Sequence, residues 1–176
     1  MQGRYITIAI AVFVVLAAGF FAWYKIAPGE YRSDALQLAF SYPNNYILTE
    51  HHEGGAERRW DIIVLADEST LPPPQNSEAS PTITMIVLDN LEGQTLEQWV
   101  RGSAFSNFKL GGDALASTTV DGEPALAYRY SGLYENDAVA VAHGAKIYFF
   151  STGWLGESDV IRQDFQDILG SIRFVQ

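Results

Sequence analysis

Apolar and polar positions alternate at the start of the main body of the chain. In "LQLAFSYPNNYILTE", Leu36, Leu38 and Phe40 are interleaved with Gln37, Ala39 and Ser41, the period of a half-buried strand. Tyr42-Pro43-Asn44-Asn45 is turn chemistry, because proline presets φ and asparagine tolerates left-handed geometry. Tyr46–His51 then predicts a second strand. "RRWDIIVLA", Arg58–Ala66, predicts a third, and its unbroken apolar centre suggests burial on both faces. Thr82–Asp89, "TITMIVLD", predicts a fourth. Between them, "DESTLPPPQNSEASP" at 67–81 holds four prolines in a polar, acidic setting and reads as a solvated loop.

The period changes to helical at Leu96–Ala104. Thr95 is placed as N-cap, Gln98 for the reciprocal bond of a capping box, and Leu96, Trp99 and Val100 fall on one face. Asp121-Gly122 separates two alternating runs in "STTVDGEPALAYRY", a short-hairpin signal. Ala138–His143 and Lys146–Thr152 predict another strand pair around Gly144-Ala145. Ser158–Leu169 predicts a helix with an apolar stripe of Val160, Ile161, Phe165, Ile168 and Leu169. Gly170 is placed to terminate it, and "SIRFV" to close the chain as a short strand. Helices set between hairpins predict an α+β fold, with a mostly antiparallel central sheet and helices packed on it.

One apolar stretch is too long for this pattern. Tyr5–Tyr24, "YITIAIAVFVVLAAGFFAWY", carries no charge and no proline. Its length as a helix, about 30 Å, matches a bilayer core. Tyr5, Trp23 and Tyr24 stand where aromatic rings favour the headgroup layer, and Arg4 and Lys25 bracket the run. The competing reading is a signal peptide cut after Ala17-Ala18-Gly19, but the apolar run continues past that point. The expected layout is therefore a tail at 1–4, a transmembrane anchor or uncleaved signal at 5–26, a linker at 27–34 and a globular domain at 35–176. Both readings export the domain. The expectation is a single-pass protein of the plasma membrane with its C-terminal domain extracytoplasmic.

Charge and cysteine narrow the chemistry. The chain has 11 Lys+Arg, 21 Asp+Glu and no Cys, so disulfides, thiolate metal sites and a Cys nucleophile are excluded. Setting aside Arg4 and Lys25 leaves 9 basic against 21 acidic residues, a net charge of −12 on the exported part. Such a surface does not suit nucleic acid, and anionic lipid would repel it. No nucleophile elbow, S-x-x-K, H-E-x-x-H or phosphate loop occurs. A Ser–His–Asp triad using His143 can be drawn from the many Ser and Asp residues, but nothing in the spacing supports it. No catalytic residue and no cofactor is assigned.

Two groups of side chains remain as candidates. "EHHEGGAE" gathers metal-ligand types. On a strand His51 and His52 point to opposite faces, whereas His51 and Glu53 share one, and the glycines could fold Glu57 back. His51, Glu53 and Glu57 are thus the candidate divalent-metal set, against the plainer reading of a polar hairpin tip. Tyr128, Tyr130 and Tyr134 alternate through "AYRYSGLYE", and Trp154 lies in a loop ahead of the last helix. These four are the candidate partner surface, against packing on a half-buried sheet. Trp60 and Trp99 read as core.

The order of phrases resembles a known family. "LQLAFSYPNNYI" opens the domain, "TMIVLDN" precedes "TLEQW", "TTVDGEPALAYRY" follows, and "DILGSIRF" closes it. This succession resembles the PsbP-like family, including its membrane-anchored bacterial members, over about Ala35–Phe174. The resemblance implies a central antiparallel sheet flanked by helices, an α/β/α sandwich. The fold group includes an extrinsic subunit of the oxygen-evolving photosystem and a Ran-binding nuclear transport factor, accessory and binding proteins without a shared catalytic motif. This sequence departs from the photosynthetic type in its anchor and in lacking a Lys-rich docking surface. The function expected is a non-catalytic accessory domain that binds or supports a protein partner in the cell envelope. The alternatives are a divalent-metal or small-ligand binding module, and an exported hydrolase.

Overall fold

A computed structural model describes residues 27–55, 59–73, 75, 78–111 and 114–175. The expected anchor at 5–26 lies outside the described residues. Among those described, no helix is long and apolar enough to cross a membrane. The chain forms β1 (Gly29–Ser33), β2 (Leu38–Tyr42), β3 (Tyr46–Gly54), β4 (Arg59–Asp67) and β5 (Ile83–Asp89), then α1 (Leu96–Gly102). Next come β6 (Ala116–Val120), β7 (Glu123–Ser131), β8 (Glu135–His143), β9 (Lys146–Trp154), α2 (Val160–Ser171) and β10 (Arg173–Phe174). The stretch read as a linker thus contains a strand, β1, which pairs with β2.

Seven strands form one antiparallel sheet in the order β3-β4-β5-β9-β8-β7-β6, and β1-β2-β10 form a second, smaller sheet. Local chemistry sets the hairpins. Asp121 (φ 48°) and Gly122 (φ 82°) are both left-handed, as a two-residue turn between right-twisted strands requires. Gly144 (φ 57°) turns β8 into β9. Helix α1 starts with both bonds of the capping box, Gln98 N–H to Thr95 Oγ1 at 3.2 Å and Thr95 N–H to Gln98 Oε1 at 2.9 Å.

Side-chain alternation along the large sheet builds two cores. On one face, Ile63, Leu65, Met85, Val139, Val141, Tyr148 and Phe150 pack under the small sheet and under Phe165 and Ile168 of α2. On the other, Ile147, Phe149, Ala138, Ala140 and Tyr128 meet Trp99 and Val100 of α1. The architecture is the mostly antiparallel α+β arrangement with one helix on each face, to which the small sheet adds cover on the α2 side.

Three expectations need correcting. The strand buried on both faces is β9, where every residue from Ile147 to Trp154 is buried. In β4 only Ile63 and Leu65 are fully buried, because α1 is short and leaves the other face half covered. Val160 is off the α2 stripe and 73 % exposed at the first turn. Gly170 does not end α2: the helix runs to Ser171, whose hydroxyl donates to Ser41 O (3.1 Å) and accepts from Ser41 N–H (3.0 Å). That tertiary anchor on β2 holds the last turn.

Pairing register also sets direction. Gly29 pairs with Tyr42, and the Pro43–Asn45 turn leads straight into β3. Gly29 therefore lies at the end of the sandwich where β3, β5 and β8 begin and β4, β7 and β9 finish.

Candidate functional site

The short reach of α1 leaves part of its sheet face open, and there a groove of about 400 Å³ is found. Its floor is the outward row of three strands: Thr84 and Ile86 of β5, Phe149, Ser151 and Gly153 of β9, and Asn136 of β8. One wall is the segment after α1, with Phe105 and Asn107, and the other is the β7–β8 hairpin with Leu133 and Tyr134. Residues 79–82, the end of the Pro-rich loop, close the rim. The Tyr134 hydroxyl donates to Ala79 O and pins that loop, while the Tyr134 ring lies over Gly153, where an added Cβ would stand 3.3 Å from it.

The lining carries no acid, lysine, arginine or histidine, although the chain as a whole is strongly acidic, with a net charge of −10. Hydroxyls and amides of Thr84, Ser151, Asn107 and Asn136 alternate with the Phe105, Tyr130 and Phe149 rings. Such a surface offers hydrogen bonds and apolar contact together. Apart from the phenols of Tyr130 and Tyr134, it holds no side chain suited to proton transfer.

The candidate residues separate on folding. Tyr130 and Tyr134 reach the groove, but Tyr130 is only 8 % exposed. Tyr128, on the same face of β7, is buried. Its hydroxyl donates to Ser106 O at 2.6 Å, its ring meets Phe108 edge-on, and burial pushes its pKa well up. Trp154 is likewise buried, on the opposite face of the sheet. Arg162 and Arg129 lie over its ring at 4.4 and 5.4 Å and are held there by Asp137 and Glu157. Its indole N–H has no hydrogen-bond partner. The four-residue surface is thus two groove residues and two packing residues.

His51 and Glu53 share a face of β3, as alternation requires, and Glu57 lies outside the described residues. Among the described residues no group of three or more acids and histidines is arranged to hold a metal ion. Sequence reasoning passed over the other face. There His52 pairs with Asp61 of β4, Arg59 reaches Asp61 at 3.3 Å, and Lys146 of β9 reaches Asp89 of β5 at 2.8 Å. These groups and Glu50 surround a hollow of about 260 Å³. Beside them the Tyr31 hydroxyl is buried, and burial, with the charge of Glu50 behind it, pushes its pKa up to about 12. Only cross-strand register assembles this cluster, and β1 carries no sequence signal strong enough to place Tyr31.

His143 is 2.8 Å from Glu123 through Nδ1 and stacks on Phe174 at 4.5 Å. Among the described residues no hydroxyl hydrogen-bonds to it, so no nucleophile–base pair forms there.

Comparison with known proteins agrees with the architecture. No protein-family model matches the chain, and no curated protein matches it either. Among solved structures, the chain is similar to the solution structure of cyanobacterial PsbP (CyanoP) from Synechocystis sp. PCC 6803. The TM-score is 0.57 at 17% identity, covering 84% of this chain and 92% of that one. A crystal structure from Bacteroides thetaiotaomicron VPI-5482 aligns with a TM-score of 0.49 and 6% identity, over 84% of this chain and 48% of that chain. With its seven-stranded antiparallel sheet carrying a helix on each face, the chain has the PsbP-like fold.

Proposed function

We propose that this chain is a membrane-anchored, extracytoplasmic accessory domain that binds an envelope protein through the groove beside α1 and performs no catalysis. The observation that carries this reading is the composition of the groove. It is open, aromatic at its sides, rich in neutral hydrogen-bonding groups, and lined by no acid, histidine, lysine or arginine. Those properties suit an uncharged stretch of a partner chain better than a reaction. The PsbP-like fold supports the same reading, since the similar solved structure is of cyanobacterial PsbP. The fold by itself names no partner. The apolar run Tyr5–Tyr24 would keep the domain at the membrane where such a partner resides.

The test is capture from detergent-solubilised envelope membranes with the full chain as bait, beside Thr84→Arg. That variant puts a cation on the groove floor at a half-buried strand position. A protein retained by the wild type and released by Thr84→Arg is the expected result. Failure to enrich any protein above a charge-matched control overturns the reading.

A further inference from the structure

The position of Gly29 relates the fold to the apolar run that precedes it. Five register pairs tie β1 to β2, so the chain enters the domain at a rigid point, at the end where the Pro-rich loop and the β7–β8 hairpin also emerge. From Tyr24 to Gly29 are five residues, which span at most about 18 Å when extended. If Tyr24 sits in the headgroup layer, this end of the sandwich faces the bilayer at close range.

The same end is where large apolar side chains are left in solvent. Leu133 of the hairpin tip is 67 % exposed, Leu155 after β9 is 75 % and Val160 is 73 %, with Leu71 of the Pro-rich loop at 42 %. Ile47, early in β3, and Leu110, beside the Gly111–Tyr130 bridge, flank the same end. Of the large apolar residues exposed among the described residues, Leu91 alone stands at the opposite end, beside the β8–β9 turn. Scattered exposed leucines need no explanation, but their concentration at one end does.

Charge at this end is largely engaged internally. Glu157 pairs with Arg129 and Arg162, Glu135 accepts from Ser131, and Asp159 accepts the N–H groups of Leu155 and Gly156. Asp67 accepts from Ser69. Glu30, beside the point of entry, Glu68 and Glu78 remain, so the end is acidic and unsuited to anionic lipid.

We propose that this end is a membrane-contact surface. Leu133, Leu155 and Val160, with Leu71 beside them, insert among the headgroups of a zwitterionic bilayer and hold the domain upright on its anchor, with the β8–β9 turn pointing away. This rests on the anchor reading made under Proposed function, and the test separates the two. Because the chain has no cysteine, single labels are clean. The full chain is reconstituted in phosphatidylcholine vesicles with a polarity-sensitive fluorophore on Leu133→Cys, Leu155→Cys, Val160→Cys, Leu91→Cys or Ala17→Cys. Lipids carrying a spin label near the headgroup serve as quencher.

The expected result is a blue shift and loss of fluorescence at 133, 155 and 160, with position 91 unquenched. Position 17 should be quenched by lipids labelled deep in the acyl chain. If position 17 is quenched while 133, 155 and 160 stay aqueous, the contact surface is refuted and the anchor stands. If position 17 is aqueous, both fall. A blue shift at 133, 155 and 160 without lipid quenching means that they pack against protein, which also overturns the proposal.

Discussion

Gly170→Ala gives opposite outcomes under two readings of the same residue. As a glycine just past an apolar stripe, Gly170 reads as a left-handed helix terminator, and there a Cβ is penalised. In the fold it lies inside α2, its φ is not positive, and nothing comes within 4 Å of an added Cβ. Under those conditions alanine restricts the unfolded chain and costs the folded one nothing, a gain of about 0.4–1 kcal/mol. For a protein of this size that corresponds to a rise in Tm of about 1–4 °C. The assay is urea or thermal unfolding of the domain, begun before Gly29 so that β1 is retained. The slope of stability against urea should be unchanged, since no new surface is buried. A fall in Tm, or a gain that vanishes when Ser171→Ala releases the helix end from β2, would refute the argument.

Other outcomes follow from equally local facts. Gly111→Ala should destabilise the domain by about 1–3 kcal/mol, because an added Cβ would stand 2.2 Å from Arg129 O, a backbone atom of β7, whose strand is fixed by its pairing with β8; equilibrium unfolding measures it. Tyr46→Phe removes the 2.8 Å bond to Asp164 and should cost about 1–2 kcal/mol in the same assay. Tyr134→Phe should leave Tm nearly unchanged yet speed proteolytic cleavage in the 67–81 loop, since it frees Ala79 O. Acid should weaken the fold in a defined direction. Asp67 is held below its ordinary value of 3.8 by the Ser69 hydroxyl and N–H, and Asp159 by the Gly156 and Leu155 N–H groups. A carboxyl depressed on folding stabilises above its unfolded pKa, and that contribution is lost as pH falls through the folded one. Stability should therefore decline as pH drops below 3.8, with a shallower decline in Asp67→Asn.

What was legible in the sequence was local. The Thr95–Gln98 capping box, the Asp121-Gly122 hairpin, the alternation of Leu38 and Phe40, and the Phe165–Ile168 stripe each depend on a few neighbouring residues. Each formed as expected. Strand β1 escaped notice because "GEYRS" has little apolar period of its own and is a strand only through its pairing with β2.

Local pattern along the chain was enough for the elements, the mostly antiparallel class, the order of phrases that resembles PsbP-like domains, and the absence of cysteine chemistry. Which tyrosines are available depends on the packed fold. Strand alternation puts Tyr128 and Tyr130 on one face, but α1 covers that face unevenly, so Tyr128 is core while Tyr130 and Tyr134 border a groove. The packed fold also decided which face each histidine takes part in, and which end of the sandwich the chain enters. These depend on register between strands far apart in sequence. A one-residue shift in pairing reverses every side chain, and no local window records it.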